Sequence, residues 1–335
     1  MSYPDLFKRA FALWWRTRAL WPLGVLAAFF GAGDYAVSGT NFSGNVSAPS
    51  DPEASPIDPA LLEEWAASPA VQAVVANPLP FLLGLLAIVI LWTLIAILVG
   101  QLAHGAMIRL GDLADQGVEA RLGEALRVGA ARLPQLFLLG VIVALPTLLA
   151  VVGAIGIIVV VVVQLSTLTA GGEDVAGAIF ASFGALLLCV FPLLLLVGLL
   201  NVALGLFARV AQRVCVIEGL GPVASLRRSW PLVTRNFGNT LLNWLATLML
   251  GAIFGIVAGL PLLVLLLPAL FGFFQSGDVP WGLLILAVVY SFLITTLVGG
   301  WLTSFNSALW TVLYRSFVAR ERAAAGYPAP YAAGD

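Results

Sequence analysis

Apolar residues in this chain gather into six long runs, at about residues 13–33, 79–108, 134–167, 176–208, 237–274 and 279–314. A helix needs roughly 20 apolar residues to cross the hydrocarbon of a bilayer. Peptide groups inside hydrocarbon must bond within their own segment, so each run is predicted to be a helix. All runs but the first exceed the minimum, which predicts tilted or kinked helices, or helices that extend past the lipid. Pro146, Pro192, Pro261 and Pro268 fall inside runs as kink positions. The expected fold class is all-α, a six-span polytopic membrane protein forming one integral domain over residues 1–335.

Charged positions orient the runs. Lys8, Arg9, Arg16 and Arg18 precede the first, and Arg109, Arg121, Arg127 and Arg132 separate the second and third. Arg209, Arg213, Arg227, Arg228 and Arg235 separate the fourth and fifth, and Arg315, Arg320 and Arg322 follow the sixth; these are all 16 basic residues. The other three connections hold nine acids and no base. The positive-inside rule then puts both termini and the basic loops, 109–133 and 209–236, in the cytoplasm. The basic start, first apolar run and small residues at Gly31, Ala32 and Gly33 also resemble a leader peptide; an uncleaved first helix is expected. The external segment 34–78 reads as loop, with short helices opened by Asp58-Pro59 and Ser68-Pro69. Residues 323–335 read as a flexible tail.

The basic segments resemble one another. FKRAFALWWRT at 7–17 aligns without gaps with LRRSWPLVTRN at 226–236, bringing Lys8-Arg9 onto Arg227-Arg228, Phe11 onto Trp230, Leu13 onto Leu232 and Arg16 onto Arg235. EALRVGAARLPQLF at 124–137 fits more loosely. Each precedes a pair of runs, which suggests three repeats of a basic interfacial helix followed by a helical hairpin. In the first, Phe7, Phe11 and Trp14 share one helical face and Lys8 and Arg9 lie off it, the pattern of a helix in the headgroup layer. The plainer alternative is the cytoplasmic end of span one with ordinary basic anchors.

Composition narrows the classes further. The 335 residues are 61% hydrophobic and 10% charged, with mean hydropathy +1.03; soluble domains carry about 25% charged residues. The bias to Arg, Ala, Val, Leu and Gly points to a GC-rich bacterial genome, hence the cytoplasmic membrane. Cys189 and Cys215 read as packing residues. His104, three residues after Gln101, is either an axial cofactor ligand or proton relay, or a polar group at a helix end. Gly251, Gly255 and Gly259 form a G-x-x-x-G-x-x-x-G face suited to close helix packing within the bundle or in a homodimer. Lys8, Arg9, Arg16, Arg227, Arg228 and Arg235 are placed to meet anionic headgroups. No nucleotide-binding, metalloprotease or triad motif is found, so no catalytic residue, metal or cofactor is expected.

The segment RVCVIEGLGPVASLRRSWPLVTRNFGNTLL, Arg213 to Leu242, resembles the hallmark of the YciC-like bacterial inner-membrane proteins. It is also similar to the membrane domain fused to some glycerophosphodiester phosphodiesterases. An apolar stretch, a turn at Glu218, Gly219 and Gly221, and a helix bearing Ser225, Arg228, Ser229 and Trp230 carry the likeness, and Val118 to Leu139 resembles the preceding loop and span. The resemblance implies a six-span membrane protein of ill-defined role. It does not imply phosphodiesterase activity, which belongs to a separate soluble domain.

The expected function is a non-enzymatic, lipid-related or membrane-organising protein, or an accessory subunit of a larger complex. Its expected partners are membrane lipids and possible further membrane subunits, with no nucleic acid. The alternative is a transporter or permease, for which Asn201, Asn243, Thr247, Thr295, Thr296, Ser304, Asn306 and Ser307 supply polar groups. Reporter domains inserted within 40–75 and within 212–235 are expected on opposite sides of the membrane; finding both on one side overturns the orientation.

Overall fold

A computed structural model describes residues 3–30, 67–69, 71–72, 77–119, 121–170, 175–276 and 281–326. In chain order the helices are α1 (Tyr3–Arg16), α2 (Leu20–Phe29), α3 (Pro78–Asp115), α4 (Leu122–Ala170), α5 (Val175–Arg213), a π-helical turn (Val214–Glu218), α6 (Pro222–Arg235), α7 (Phe237–Ser276) and α8 (Trp281–Ala324). No strand occurs among the described residues. Among the described residues five helical segments are long and apolar enough to cross a membrane; they lie in α3, α4, α5 with its π-helical turn, α7 and α8. The fold is therefore all-helical and that of a membrane-embedded protein. Backbone contacts divide it into two compact units, Met1–Leu133 with Leu242–Leu313 and Pro134–Leu241 with Tyr314–Asp335.

The first expected span is divided. α1 ends at Arg16 and the described part of α2 is 10 residues, about 15 Å at 1.5 Å per residue. Pro22 is the cause: it offers no N–H to the Arg18 carbonyl four residues back and its ring crowds that carbonyl. The chain turns at Thr17–Ala19 instead, where Leu20 N–H reaches the Thr17 carbonyl at 2.9 Å. In contrast α4, α5 and α7 run through Pro146, Pro192, Pro261 and Pro268. Most of the two basic loops is helical: Arg109 to Asp115 completes α3, and Leu122 to Leu133 opens α4 without a break. Helix α8 runs to Ala324, into the expected tail. Ser68 Oγ accepts from Val71 N–H at 3.4 Å; the Asp58 helix and most of 34–78 lie outside the described residues.

At 38 residues, α3 is about 57 Å long, nearly twice the ~30 Å hydrocarbon layer. Its halves differ. Leu79 to Trp92 is exposed around the whole circumference, whereas His104, Ala106, Met107, Ile108 and Leu110 are buried. Helix α8 repeats the contrast, with Ile285, Val288 and Phe292 exposed and Phe305, Leu309, Trp310 and Leu313 buried. Lipid is as apolar as leucine, so apolar burial gives those exposed halves little reason to pack on protein. The core of the first unit therefore sits at the basic ends of its long helices, joined by Leu6, Ala10 and Leu13 of α1 and Leu20, Leu23 and Ala27 of α2. In the second unit, Leu136, Leu139, Val210, Ala211, Val214, Leu232, Val233, Tyr314 and Phe317 form the core.

Helices α2 and α8 cross in close backbone contact. A Cβ on Gly24 would strike the Gly300 carbonyl and come within 2.7 Å of Ser304 Cβ; one on Gly300 would strike Val25 Cα and come within 2.6 Å of its nitrogen. Backbones meet here because neither residue has a side chain. Two glycines of the stripe on α7 play no such part among the described residues. Cβ atoms on Gly255 and Gly259 would meet nothing within 4 Å, which corrects the expectation of internal packing at those two positions. Gly300→Val is expected to lower stability by about 1–3 kcal/mol or more through overpacking, and Gly255→Ala to leave it unchanged or higher. Thermal unfolding in detergent compares the two; equal losses refute the assignment.

Candidate functional site

Charged side chains knit the basic end of each unit. In the first unit, Asp112 and Asp115 fall in the last turn of α3, where the negative end of the helix dipole disfavours carboxylates. Arginines offset this. Arg9 Nε on α1 donates to Asp115 Oδ1 at 2.8 Å, and the aspartate side chain is 1% exposed. Arg109 Nη1 donates to Asp112 Oδ2 at 3.2 Å and its Nη2 lies 3.8 Å from Glu124 Oε1. Gln116 Nε2 adds a bond to the same Asp112 oxygen at 3.1 Å. Beside this set, Trp14 Nε1 donates to Ser304 Oγ at 2.8 Å within an aromatic cluster that includes Trp15, Trp21, Trp301 and Phe305. Tryptophan favours the headgroup level.

In the second unit the corresponding arginine is Arg228 on α6. Its Nη1 donates to Glu321 Oε1 at 2.8 Å and its Nη2 to Glu321 Oε2, a two-pronged pair. Arg228 Nε lies 3.7 Å from Glu218, and Tyr314 OH donates to Glu218 Oε1 at 2.5 Å. The Glu321 hydrogen bond holds the Arg228 guanidinium above its ordinary pKa. Glu218 reaches this point because the π-helical turn ends at Gly219, whose φ of +75° suits glycine. Arg320 Nη1 donates to Asn236 Oδ1 at 3.2 Å, at the break between α6 and α7. Arg213, 1% exposed, donates from Nη1 to the Arg209 carbonyl at 2.5 Å.

The two amphipathic helices use the same register. Leu6, Ala10, Leu13 and Trp14 are buried on α1, and Ser225, Ser229, Leu232 and Val233 on α6; each stands the same number of residues after its counterpart. The ion-paired Arg9 and Arg228 correspond. So do the exposed Lys8 and Arg227, the exposed Arg16 and Arg235, and the exposed aromatics Phe11 and Trp230, 49% and 61% accessible. Phe11 stacks on Trp15, ring centroids 6.2 Å apart, and Trp230 on Phe207, 4.7 Å apart. The start of α4 buries Ala125 and Gly129 at the same four-residue step. A Cβ on Gly129 would lie 3.0 Å from the Ala106 nitrogen and the Leu102 carbonyl.

These positions sort the residues expected from sequence. Arg9 and Arg228 are engaged by carboxylates, while Lys8, Arg16, Arg227 and Arg235 face outward. The interfacial face of α1 is rotated from the one expected: Trp14 is buried, Phe7 packs edge-on against Phe305, and Phe11 with Trp15 points out. His104 is buried in the basic half of α3. Among the described residues, no three of His, Cys, Asp and Glu gather as a metal site would need. Cys215 is buried, its thiol 3.8 Å from Gln135 Oε1; the Cys189 side chain lies outside the described residues. Sequence reasoning passed over Asp112, Asp115, Tyr314 and Glu321, and took Glu218 only as part of a turn. Their one signal was position, since Asp112, Asp115, Glu218 and Glu321 are acids on the basic side of the charge pattern.

Compared with models of protein families, with curated proteins and with solved structures, the chain matches none.

Arg9→Gln leaves Asp115 buried with one cation fewer, and a loss of about 1–3 kcal/mol is expected. A double-mutant cycle on Arg228 and Glu321 should show coupling of about 1 kcal/mol that shrinks in high salt. Unfolding in detergent at two ionic strengths reads both, and zero coupling at low salt removes the Arg228–Glu321 pair as a stabilising contact.

Proposed function

We propose that the chain is a non-catalytic, multi-pass protein of the bacterial cytoplasmic membrane whose task is lipid-related or membrane-organising, alone or as a subunit of a larger complex. In this reading it has six spans in three repeats of a basic amphipathic helix and a helical hairpin, with both termini cytoplasmic. Membership of the YciC-like proteins belongs to the same proposal, since the resembling residues, Arg213 to Leu242, include the π-helical turn and α6. The carrying observation is the shared register of α1 and α6: same buried steps, same ion-paired arginine, same outward cations and aromatics. Amphipathic helices with basic and aromatic outer faces suit the headgroup layer. A non-catalytic role draws support from the acids of the basic side, because Asp112, Asp115, Glu218 and Glu321 all face arginines in ion pairs.

One observation favours a permease instead. Asn243 on α7 is wholly buried, and neither polar atom of its side chain has a partner among the described residues; the Thr303 hydroxyl on α8 is likewise buried. A small polar solute would satisfy such groups. Native mass spectrometry of the protein released gently from membranes tests the leading reading, which expects retained lipid or a partner subunit. A bare monomer refutes it. Asn243→Leu distinguishes the second reading, which alone predicts lost solute uptake by a protein of unchanged or higher stability.

A further inference from the structure

The structure separates the cations of the two amphipathic helices into an inner and an outer class. Arg9 and Arg228 turn inward onto Asp115 and Glu321. Lys8, Arg16, Arg227 and Arg235 are exposed and form no ion pair among the described residues, although Arg235 acts electrostatically on Glu321. The aromatics divide in the same way. Trp14 is buried and hydrogen-bonded, whereas Trp15 beside it is 51% exposed, as are Phe11 and Trp230 to similar degrees. Lys8, Phe11 and Trp15 lie three and four residues apart, so they form one outward stripe; Arg227 and Trp230 repeat its first two members. Helix α6 holds no acid, and the only acid of α1, Asp5, is in its first turn.

Resting on the membrane reading above, we propose that these outward stripes are two equivalent docking surfaces for anionic phospholipid headgroups. One consists of Lys8 and Arg16 with Phe11 and Trp15, the other of Arg227 and Arg235 with Trp230. Charge selects the occupant: each stripe presents two cations without a committed carboxylate, beside rings that favour the boundary between headgroup and acyl chain. Lysine and arginine stems lie along apolar surface while their charged ends reach toward phosphate. Arg9 and Arg228 are positioning residues. They hold each helix so that its stripe faces outward, and they do not touch lipid. The doubling has a direct consequence, because the two surfaces act through separate residues and should fail independently.

The test uses the intact protein in phosphatidylcholine vesicles containing phosphatidylglycerol with brominated acyl chains. Tryptophan quenching then reports preference for the anionic lipid over the zwitterionic one. The wild-type chain is expected to favour phosphatidylglycerol, and salt to weaken that preference. Lys8→Gln with Arg16→Gln, and separately Arg227→Gln with Arg235→Gln, should each reduce it at their own surface, by about fivefold per cation removed at low salt. These side chains are exposed, so folding should survive; thermal unfolding checks this. Trp230→Phe should remove the quenching component that the second double variant abolishes. Arg9→Gln and Arg228→Gln should lower the unfolding temperature while retaining the preference in whatever folded protein remains.

Wild-type protein that enters vesicles without favouring phosphatidylglycerol overturns the docking surfaces and leaves the membrane reading standing. Undiminished preference in both double variants does the same. Loss of preference in Arg9→Gln at an unchanged unfolding temperature overturns the division of roles. A chain that enters no vesicle, whatever its composition, overturns both proposals.

Discussion

Hydrocarbon offers no partner to a peptide N–H or C=O, and that deprivation governs where this chain can be irregular. Inside the lipid every segment must close its own backbone bonds, so the apolar runs become helices of 38 residues and more. At the basic ends the chain turns, carries a π-helical segment and caps with glycine. The same solvent removes most of the incentive for apolar side chains to pack together. Tertiary structure is consequently concentrated at the basic ends, where water is near and polar groups can be paired.

What joins helices there is a mixture of close approach and charge. Gly24 and Gly300 let two backbones touch, Trp14 bridges to Ser304, and Arg9 ties α1 to the end of α3. In the second unit a similar use of charge connects α6 with Glu321 through Arg228. The long apolar halves serve as lipid anchors, while specificity of folding resides in a small number of polar and small residues. Single substitutions in the apolar halves should therefore matter far less than those at the basic ends.

The spans from the second onward were legible because each run is far longer than the lipid requires, and α3, α5, α7 and α8 follow the expected runs closely. The first run misled because it was drawn through Arg16, Thr17 and Arg18, the polar stretch at which the chain turns; Pro22, placed four residues after Arg18, also marked the break. Drawing the interfacial face through Phe7, Phe11 and Trp14 chose the large rings, whereas the buried face of α1 includes Ala10 and that of α6 includes Ser225 and Ser229. Small residues sit where helices approach closely and contribute little to a hydrophobic pattern. For the same reason G-x-x-x-G on α7 named a face but no partner, while Gly24 and Gly300 sit only in the less distinctive small-xxx-small pattern, with Ala28 and Ser304. Ion pairs such as Arg228 with Glu321 join residues far apart in sequence, a relation that local spacing does not carry.

The contact between Trp14 and Ser304 spans 290 positions. Ribosomes extend a chain at about 5–20 residues per second, so roughly 15–60 s separate the appearance of these two partners. During that interval α1 and α2 are already made and the part of α8 they pack against is not. Synthesis must therefore carry an aromatic-rich, arginine-bearing pair of helices, α1 and α2, without their α8 contacts until α8 is made, and α8 is the element that completes the first unit.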